Sequence, residues 1–219
     1  MIAYTVTGLP GDEGYLDIAK SGDITGKNIY VNMTNKCPCN CTFCLRHTKE
    51  QLEGNSLWLN GNEPTVDEVV ALLDDYDLNK IGELVFCGFG EPLERVGDVC
   101  ALIDRLKEKY PALKVRINTI GLANLIHGRD VTPLLKDRVN TVSISLNAPN
   151  AEEFLALTRS RFGIESYEEV KSFAVKCKAY VPNVVMTVVE KVMPEDKIEV
   201  CRKICQELGV TLRVRPFEE

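Results

Sequence analysis

Short apolar segments alternate with longer amphipathic segments along the chain from residue 28 onward. The short segments are rich in β-branched residues, which is typical of buried strands, and the longer ones have a helical period of apolar positions. The predicted strands cover residues 28–33, 83–87, 114–118, 141–146, 183–189 and 210–214. The predicted helices lie between them, at about residues 65–73, 95–109, 132–136, 151–157, 167–180 and 195–208.

Two local signals mark helix ends in this pattern. Thr65 and Glu68 have the Thr-x-x-Glu spacing of a capping box and directly precede an apolar run, so they predict the start of a helix. Gly209 follows Leu208 before the last predicted strand, and a glycine in that position is typical of a helix carboxyl end.

Six strands joined by helical connections predict a parallel sheet, because such crossovers are right-handed and return the chain to the same sheet. Six units are too few to close an eight-stranded barrel. We therefore expect an α/β fold of the partial (β/α)6 TIM-like type, an open three-quarter barrel of parallel strands with its active site at their carboxyl ends. Residues 1–27, with turn-rich stretches at 8–12 and 21–23, are interpreted as an N-terminal extension to a core domain of residues 28–219.

Composition narrows the class of protein. The net charge of −6 disfavours a nucleic-acid partner, although a local basic patch would still permit one. The N-terminus has no secretory signal, and no apolar run reaches the roughly 20 residues of a membrane helix, so we expect a cytoplasmic protein without a membrane partner. Nine cysteines in a reducing compartment are expected to be core residues or ligands rather than disulfides.

Four of these cysteines lie within eight residues, directly after the first predicted strand. Cys37, Cys41 and Cys44 have the spacing C-x3-C-x2-C, and thiolates are the usual ligands of iron–sulfur clusters. Three ligands on a four-iron cluster leave one iron free to bind a reactant. The alternative is a zinc site with Cys39 or His47 as fourth ligand, but zinc sites more often use paired C-x2-C units and no second unit is present. We interpret Cys39 as a bystander thiol.

Polar or small residues follow the next predicted strands as well. The segment Cys87–Leu93 reads CGFGEPL, in which glycines permit close backbone approach and Glu91 offers a carboxylate at the barrel mouth. Hydroxyl, amide and guanidinium groups at later strand ends suit the binding of ribose, carboxylate or phosphate, or else cap backbone groups. These residues are Asn118, Ser143, Ser145, Asn147, Arg213 and Arg215. His127 is interpreted as either a proton donor or a loop cap.

Together these motifs resemble the radical S-adenosylmethionine (SAM) superfamily: three cysteines with Phe43 before the last, at the end of the first strand, then Gly90-Glu91-Pro92 after the second. Phe89 departs from the Gly-Gly-Glu-Pro pattern of that superfamily. The resemblance implies a [4Fe–4S] cluster on the three cysteines, whose open iron chelates SAM and whose electron cleaves it to a 5′-deoxyadenosyl radical. It also implies a reductant such as flavodoxin or ferredoxin. The implied SAM-binding residues are Phe43 beside the adenine, Gly88, Gly90, Glu91, Asn118, Ser145, Asn147 and Arg215.

Longer strings, at residues 86–93, 116–129 and 143–148, resemble the TatD-associated radical SAM proteins and imply a functional link to a TatD-type metal-dependent hydrolase. The substrate stays open. A protein glycine, as in glycyl-radical activating enzymes, and a small heterocycle, as in carboxy-deazaguanine synthases, are both compatible with the compact chain. Non-catalytic alternatives are a zinc module and an electron carrier, but a carrier is expected to use four protein ligands on its cluster.

Overall fold

The computed structural model describes residues 1–7, 14–48 and 56–217. Within these ranges eight strands form a single sheet: β1 (Ala3–Thr7), β2 (Gly14–Asp17), β3 (Ile29–Val31), β4 (Leu84–Phe86), β5 (Val115–Thr119), β6 (Thr141–Ser145), β7 (Asn183–Val189) and β8 (Thr211–Arg215). Their order across the sheet is β2-β1-β3-β4-β5-β6-β7-β8.

The last six strands in this order, β3 to β8, run parallel to one another in chain order. This arrangement confirms the predicted partial (β/α)6 barrel, and each of the six predicted strands is found within two residues of its predicted ends. Parallel strands place their carboxyl ends along the same edge, so the segments after β3, β4, β5 and β6 come together there.

Seven helices lie in the described ranges: α1 (Leu45–Thr48), α2 (Val66–Leu73), α3 (Val96–Lys109), α4 (Ala123–His127), α5 (Ala151–Thr158), α6 (Ser166–Cys177) and α7 (Glu195–Leu208). Both helix-end predictions are confirmed. The Thr65 hydroxyl accepts from the Glu68 N–H at 3.2 Å while the Glu68 carboxylate accepts from the Thr65 N–H at 2.7 Å, and Gly209 ends α7 with φ +65°.

The predicted helix at residues 132–136 is wrong in type, because Thr132–Leu135 forms a 3-10 turn. The turn does not continue as a helix, because Lys136 is extended with ψ 135° and Asp137 has a left-handed backbone with φ +62°. The connection between β5 and β6 is completed by α4, a single turn that was too short to give a periodic signal.

Alternate residues of the parallel strands face the helices and form the main core. Ile29, Phe86, Ile117, Ile144 and Met186 are all fully buried in one apolar cluster with the helices. The register pairs Asn118 with Ser143 and Ser145 with Thr187, so polar side chains share the opposite, inner face of the open barrel.

The N-terminal residues add two antiparallel strands to the β3 edge. Tyr4 of β1 lies opposite Tyr30 of β3, and their rings stack with centroids 5.2 Å apart. A second apolar cluster forms here around Tyr4, Leu57 and Phe89. The hairpin therefore widens the sheet and packs against the loop after β4. The turn expected at residues 8–12 lies outside the described residues, and the division at residue 27 stays a prediction.

Among the described residues, no helix has both the length and the apolar character needed to cross a membrane.

Candidate functional site

The loop that follows β3 carries the four clustered cysteines, and we call it the cysteine loop. It brings their thiols close together. Cys37, Cys41 and Cys44 are partly exposed, whereas Cys39 is buried in the main core. The Cys39 thiol hydrogen-bonds to the sulfurs of Cys37 and Cys41, which raises the pKa of Cys39 and lowers that of Cys41. Burial raises the pKa of Cys44. Within the described ranges, no three His, Cys, Asp or Glu side chains converge as ligands of a single metal ion.

Backbone hydrogen bonds fasten this loop to the end of α5. The Asn40 N–H donates to the Thr158 carbonyl at 2.8 Å, and the Thr42 N–H donates to the Leu157 carbonyl at 2.9 Å. In the other direction, the Arg161 N–H donates to the Pro38 carbonyl at 2.9 Å. The first two bonds satisfy carbonyl groups at the end of α5 that have no partner within the helix. All three bonds hold the backbone of the cysteine loop in a fixed position.

Arg46 also braces the loop, a role that the sequence interpretation missed. Its guanidinium donates to the Cys39 carbonyl at 2.6 Å and to the Asn40 side-chain oxygen at 3.2 Å. The positive charge lowers the pKa of the nearby Cys41, after the larger effect of the Cys39 thiol. The sequence does contain a signal for this role. Arg46 is a permanent cation two residues after Cys44, and a positive charge there stabilises nearby thiolates.

The segment entering the loop is held by polar side chains that were not singled out. The Thr34 hydroxyl donates to the Glu63 carboxylate, and the Arg95 guanidinium donates to the carbonyls of Met33 and Pro64 at 2.8 and 2.7 Å. These contacts join the start of the loop to the segment before α2 and to the start of α3. They depend on long-range folding and have no short sequence signature.

The loop after β4 packs directly against the cysteine loop, backbone to backbone. The Glu91 N–H donates to the Lys36 carbonyl at 2.8 Å. A Cβ added to Gly90 would lie 2.2 Å from the Thr34 carbonyl oxygen, and one added to Gly88 would lie 2.1 Å from the Asn32 side-chain oxygen. Both glycines are therefore required for this close approach. Phe89 is buried and contacts Trp58 edge-to-face at 5.4 Å, which explains its departure from glycine.

The Glu91 carboxylate was predicted to lie at the open mouth of the barrel. That prediction is wrong, since the side chain is buried and only 2% of the residue is exposed. One carboxylate oxygen accepts from the Thr119 hydroxyl at 2.7 Å and from the Leu93 N–H at 3.0 Å. The other accepts from the Ile120 N–H at 2.8 Å. The carboxylate thus joins the loop after β4 to the end of β5, and the backbone of this loop is the part that faces the cysteines.

Burial raises the pKa of Glu91 to about 7, and the three hydrogen bonds lower it only in part. From pH 4.5 to about 7 the folded state keeps a proton that the unfolded chain releases, so the free energy of unfolding falls as pH rises. Relative to Glu91→Gln, the wild type should lose about 3 kcal/mol across this window. Urea unfolding at several pH values measures the difference.

The matched variant Thr119→Val removes one donor to the same carboxylate. It should raise the pKa of Glu91 further and extend the loss of stability to higher pH. Parallel pH curves for the wild type and Glu91→Gln would show that Glu91 does not titrate in this range.

The remaining candidate residues lie at or near the carboxyl edge of the sheet. Ser145 is partly exposed on the inner face, and Asn118 accepts from Arg116 at 3.2 Å. Asn147 is buried in the left-handed region, with φ +56°, and its N–H donates to the Thr187 carbonyl at 3.3 Å. Arg215 ends β8, at the far side of the sheet, and is partly buried. Phe43 is partly exposed between Thr42 and the last cysteine.

Two other side chains from the sequence interpretation have clear positions. The His127 ring bonds through Nε2 to the Leu93 carbonyl at 2.8 Å, which is the loop-capping arrangement. Arg213 is exposed on β8, opposite Thr187.

The donor set fits a [4Fe–4S] cluster. Three partly exposed thiols from one braced loop lie beside a glycine-rich backbone at the carboxyl edge of the sheet, and the fourth thiol, Cys39, is buried and hydrogen-bonded to the sulfurs of Cys37 and Cys41. Thiolates are the ligands that such clusters need, and a three-thiolate set leaves one iron for a small-molecule ligand.

Comparison with known proteins supports the same class. The family model of the radical SAM superfamily matches residues 31–204. GTP 3',8-cyclase from Rhodococcus opacus is 31% identical over 137 residues, which are 61% of this chain and 35% of that protein. Molybdenum cofactor biosynthesis protein 1 from Dictyostelium discoideum is 30% identical over 129 residues, 59% of this chain and 19% of that protein. The chain thus spans about a third or less of the length of these curated relatives.

Solved structures share the fold. Streptococcus suis SuiB bound to its precursor peptide SuiA superposes with a TM-score of 0.61 at 16% identity, over 90% of this chain and 40% of that one. A radical SAM methyltransferase from Sphaerobacter thermophilus gives 0.58 at 17% identity, over 97% of this chain and 66% of that one. Because the family model extends from residue 31 to residue 204, the protein belongs to the radical SAM superfamily, whose members are enzymes that use a [4Fe–4S] cluster and S-adenosylmethionine.

Proposed function

We propose that Cys37, Cys41 and Cys44 hold the [4Fe–4S] cluster and that the protein cleaves SAM reductively. When bound, the cluster supplies the electron that splits SAM into methionine and a 5′-deoxyadenosyl radical, which removes a hydrogen atom from the substrate. The observation that carries the proposal is the packing of the loop after β4 against the cysteine loop, with glycines where any side chain would collide. This packing would place the backbone of the loop after β4 beside a cluster held by the three cysteines.

In this proposal, different residues of the chain contact different parts of SAM. We assign contacts with the methionine end of SAM to the backbone of Gly88, Gly90 and Glu91, which the buried Glu91 carboxylate positions through Thr119 and Ile120. The adenine and ribose are assigned to groups along the carboxyl edge of the sheet. These are Phe43, Asn118, Ser145, Asn147 and Arg215.

We place the chain within the TatD-associated radical SAM proteins, on the strings at residues 86–93, 116–129 and 143–148. The proposal includes a cytoplasmic location, a flavodoxin or ferredoxin as reductant, and a functional link to a TatD-type hydrolase.

A purine nucleotide is the substrate class favoured by the 31% identity to GTP 3',8-cyclase. Added GTP should then increase 5′-deoxyadenosine formation, and an unchanged rate would remove this substrate class from the proposal.

The test of the proposed function is an anaerobic assay. The protein is reconstituted with iron and sulfide, reduced with dithionite and incubated with SAM, and 5′-deoxyadenosine is quantified. We expect nucleoside formation that requires both reductant and cluster. Bound zinc in place of iron, with no nucleoside formed, would instead support the non-catalytic zinc module.

A further inference from the structure

Cys87 differs from the other cysteines outside the cysteine loop. The other four are buried, whereas Cys87 is partly exposed. It directly follows β4, and its N–H donates to the Val31 carbonyl at 3.1 Å, so the pairing of β4 with β3 continues through this residue. Because Phe86 before it faces the helices in the main core, the Cys87 side chain faces the opposite, inner side of the barrel. Its neighbour on β5 in the same register is Asn118.

A buried phenol from the N-terminal hairpin contacts this thiol. Tyr4 of β1 is 1% exposed, and its hydroxyl donates to the Cys87 carbonyl at 3.3 Å and hydrogen-bonds to the Cys87 sulfur. Burial raises the pKa of Tyr4 well above its ordinary value, and the nearby thiol adds to this effect, so the phenol keeps its proton. The hairpin thus reaches the inner face of the barrel and fixes the position of one sulfur there.

The pair of Cys87 and Tyr4 lies beside the parts of the site that we assign to SAM and the cluster. Gly88 directly follows Cys87 and belongs to the backbone assigned to the methionine end of SAM. The apolar cluster that contains Tyr4 also packs against Leu45, the residue after Cys44. The thiol is therefore next to the place where the proposed function generates a radical.

A polar atom next to Cys87 points to a ligand in the same place. Asn32 follows β3 and is 1% exposed, and its amide donates to the Leu57 carbonyl at 2.7 Å. Its side-chain oxygen lies against Gly88 and accepts no hydrogen bond from the described residues. A buried acceptor without a donor costs free energy, which a donor group on a bound ligand would recover.

We propose that the Cys87 thiol is the hydrogen-atom donor that ends the reaction, and that Tyr4 positions its sulfur. This inference rests on the proposed function, because it needs a substrate radical. The 5′-deoxyadenosyl radical takes a hydrogen atom from a C–H bond of the substrate, and after the substrate radical has reacted, its carbon takes a hydrogen atom from Cys87. A C–H bond forms and an S–H bond breaks, which is favourable because the S–H bond is the weaker one.

The sulfur-centred radical left on Cys87 is reduced before the next turnover. One electron from the one-electron reductant that also serves SAM cleavage, together with one proton from solvent, restores the thiol. Each turnover therefore consumes one SAM and two electrons, one for the cleavage and one for the thiol. The hydrogen taken from the substrate leaves in 5′-deoxyadenosine, and the product carries a hydrogen that came from solvent.

The test does not require the substrate. Without it, the 5′-deoxyadenosyl radical should take its hydrogen from Cys87, and a thiol exchanges that hydrogen with solvent whereas a C–H bond does not. The reconstituted holoprotein is incubated with dithionite and SAM in deuterium oxide, in buffer without added thiol, and 5′-deoxyadenosine is analysed by mass spectrometry. We expect one deuterium in the nucleoside from the wild type.

Cys87→Ser should form the nucleoside without this deuterium. Serine keeps an exchangeable hydrogen in nearly the same shape, but its O–H bond is too strong to donate to a carbon radical. Cys87→Ala should give the same loss, and iron analysis verifies that both variants hold the cluster.

Two matched variants remove other exchangeable hydrogens. Tyr4→Phe lacks the phenol, and Cys39→Ala lacks a thiol that is buried in the main core. Both should still give deuterated nucleoside. A label that persists in Cys87→Ser, or that disappears in Tyr4→Phe or Cys39→Ala, would overturn the assignment of Cys87 as the donor.

A second readout is independent of turnover. In the protein before reconstitution, iodoacetamide should alkylate the partly exposed Cys87 and spare the buried Cys100 and Cys177, as mapped by peptide mass spectrometry. Tyr4→Phe should speed the alkylation of Cys87 about threefold or more, because the sulfur loses a hydrogen bond.

The failures of the two proposals are distinct. A Cys87 that resists alkylation in the folded protein, or wild-type nucleoside without deuterium, would contradict the role of Cys87 alone. A wild-type protein that forms no 5′-deoxyadenosine would contradict the proposed function itself.

Discussion

Replacing Cys41 by alanine is expected to abolish the [4Fe–4S] cluster, whereas replacing Cys39 by alanine is expected to preserve it. Cys41 is partly exposed, its pKa is lowered by the Cys39 thiol and by Arg46, and it belongs to the C-x3-C-x2-C set. A thiolate of this kind is a good iron ligand. Cys39 is buried in the main core. Its loss leaves a small cavity, with an expected cost of about 1 kcal/mol.

Iron and sulfide analysis after anaerobic reconstitution measures this contrast. The wild type and Cys39→Ala should each hold about four irons per chain. Cys41→Ala should hold almost none and form 5′-deoxyadenosine only at background level. The opposite pattern, with Cys39 required and Cys41 dispensable, would mean a different ligand set, such as the zinc site that Cys39 completes.

Gly90→Ala is expected to have the second-largest effect. The added Cβ would lie 2.2 Å from the Thr34 carbonyl oxygen and 2.8 Å from that of Lys36, and both are backbone atoms that cannot rotate away. The two loops must separate, which breaks the hydrogen bond from the Glu91 N–H to Lys36. We expect a loss of about 3 kcal/mol or more in the free energy of unfolding, together with poor cluster uptake.

Gly97→Ala provides the matched control for this prediction. Gly97 is an exposed helical residue of α3, and nothing lies within 4 Å of the added Cβ. The variant should therefore be neutral or more stable by up to about 1 kcal/mol, because alanine favours helix. Urea unfolding and iron content decide the comparison. If Gly90→Ala behaved like Gly97→Ala, close packing of the two loops would not be needed for the site.

The parallel half of the fold was predictable because its signals are local. Strands such as β7 are apolar, β-branched and flanked by helices of clear period, so their order follows from the sequence. The N-terminal hairpin was not predicted as strands. β1 and β2 are short, and their partners, including Tyr30, lie at other positions of the chain. The single-turn helices α1 and α4 are too short for any periodic signal.

In the candidate site, the sequence pointed to the right loops but not to their internal contacts. Gly88, Gly90 and Glu91 were identified, yet the direction of the Glu91 side chain depends on the donors that β5 places beside it. Thr119 was not predicted as a site residue, because its contact with Glu91 joins two segments that are 28 residues apart in the chain. Which side chain meets a carboxylate from another strand is set by sheet register, and that is a property of the folded chain.

The most direct test of the account is the electron paramagnetic resonance spectrum of the reduced, reconstituted protein before and after addition of SAM. A three-thiolate cluster with one open iron predicts a [4Fe–4S]⁺ signal that changes when SAM binds, in the wild type and in Cys39→Ala. A signal that SAM leaves unchanged, or a protein that takes up zinc and gives no cluster signal, would contradict the assignment of Cys37, Cys41 and Cys44 as the ligands of a SAM-binding cluster.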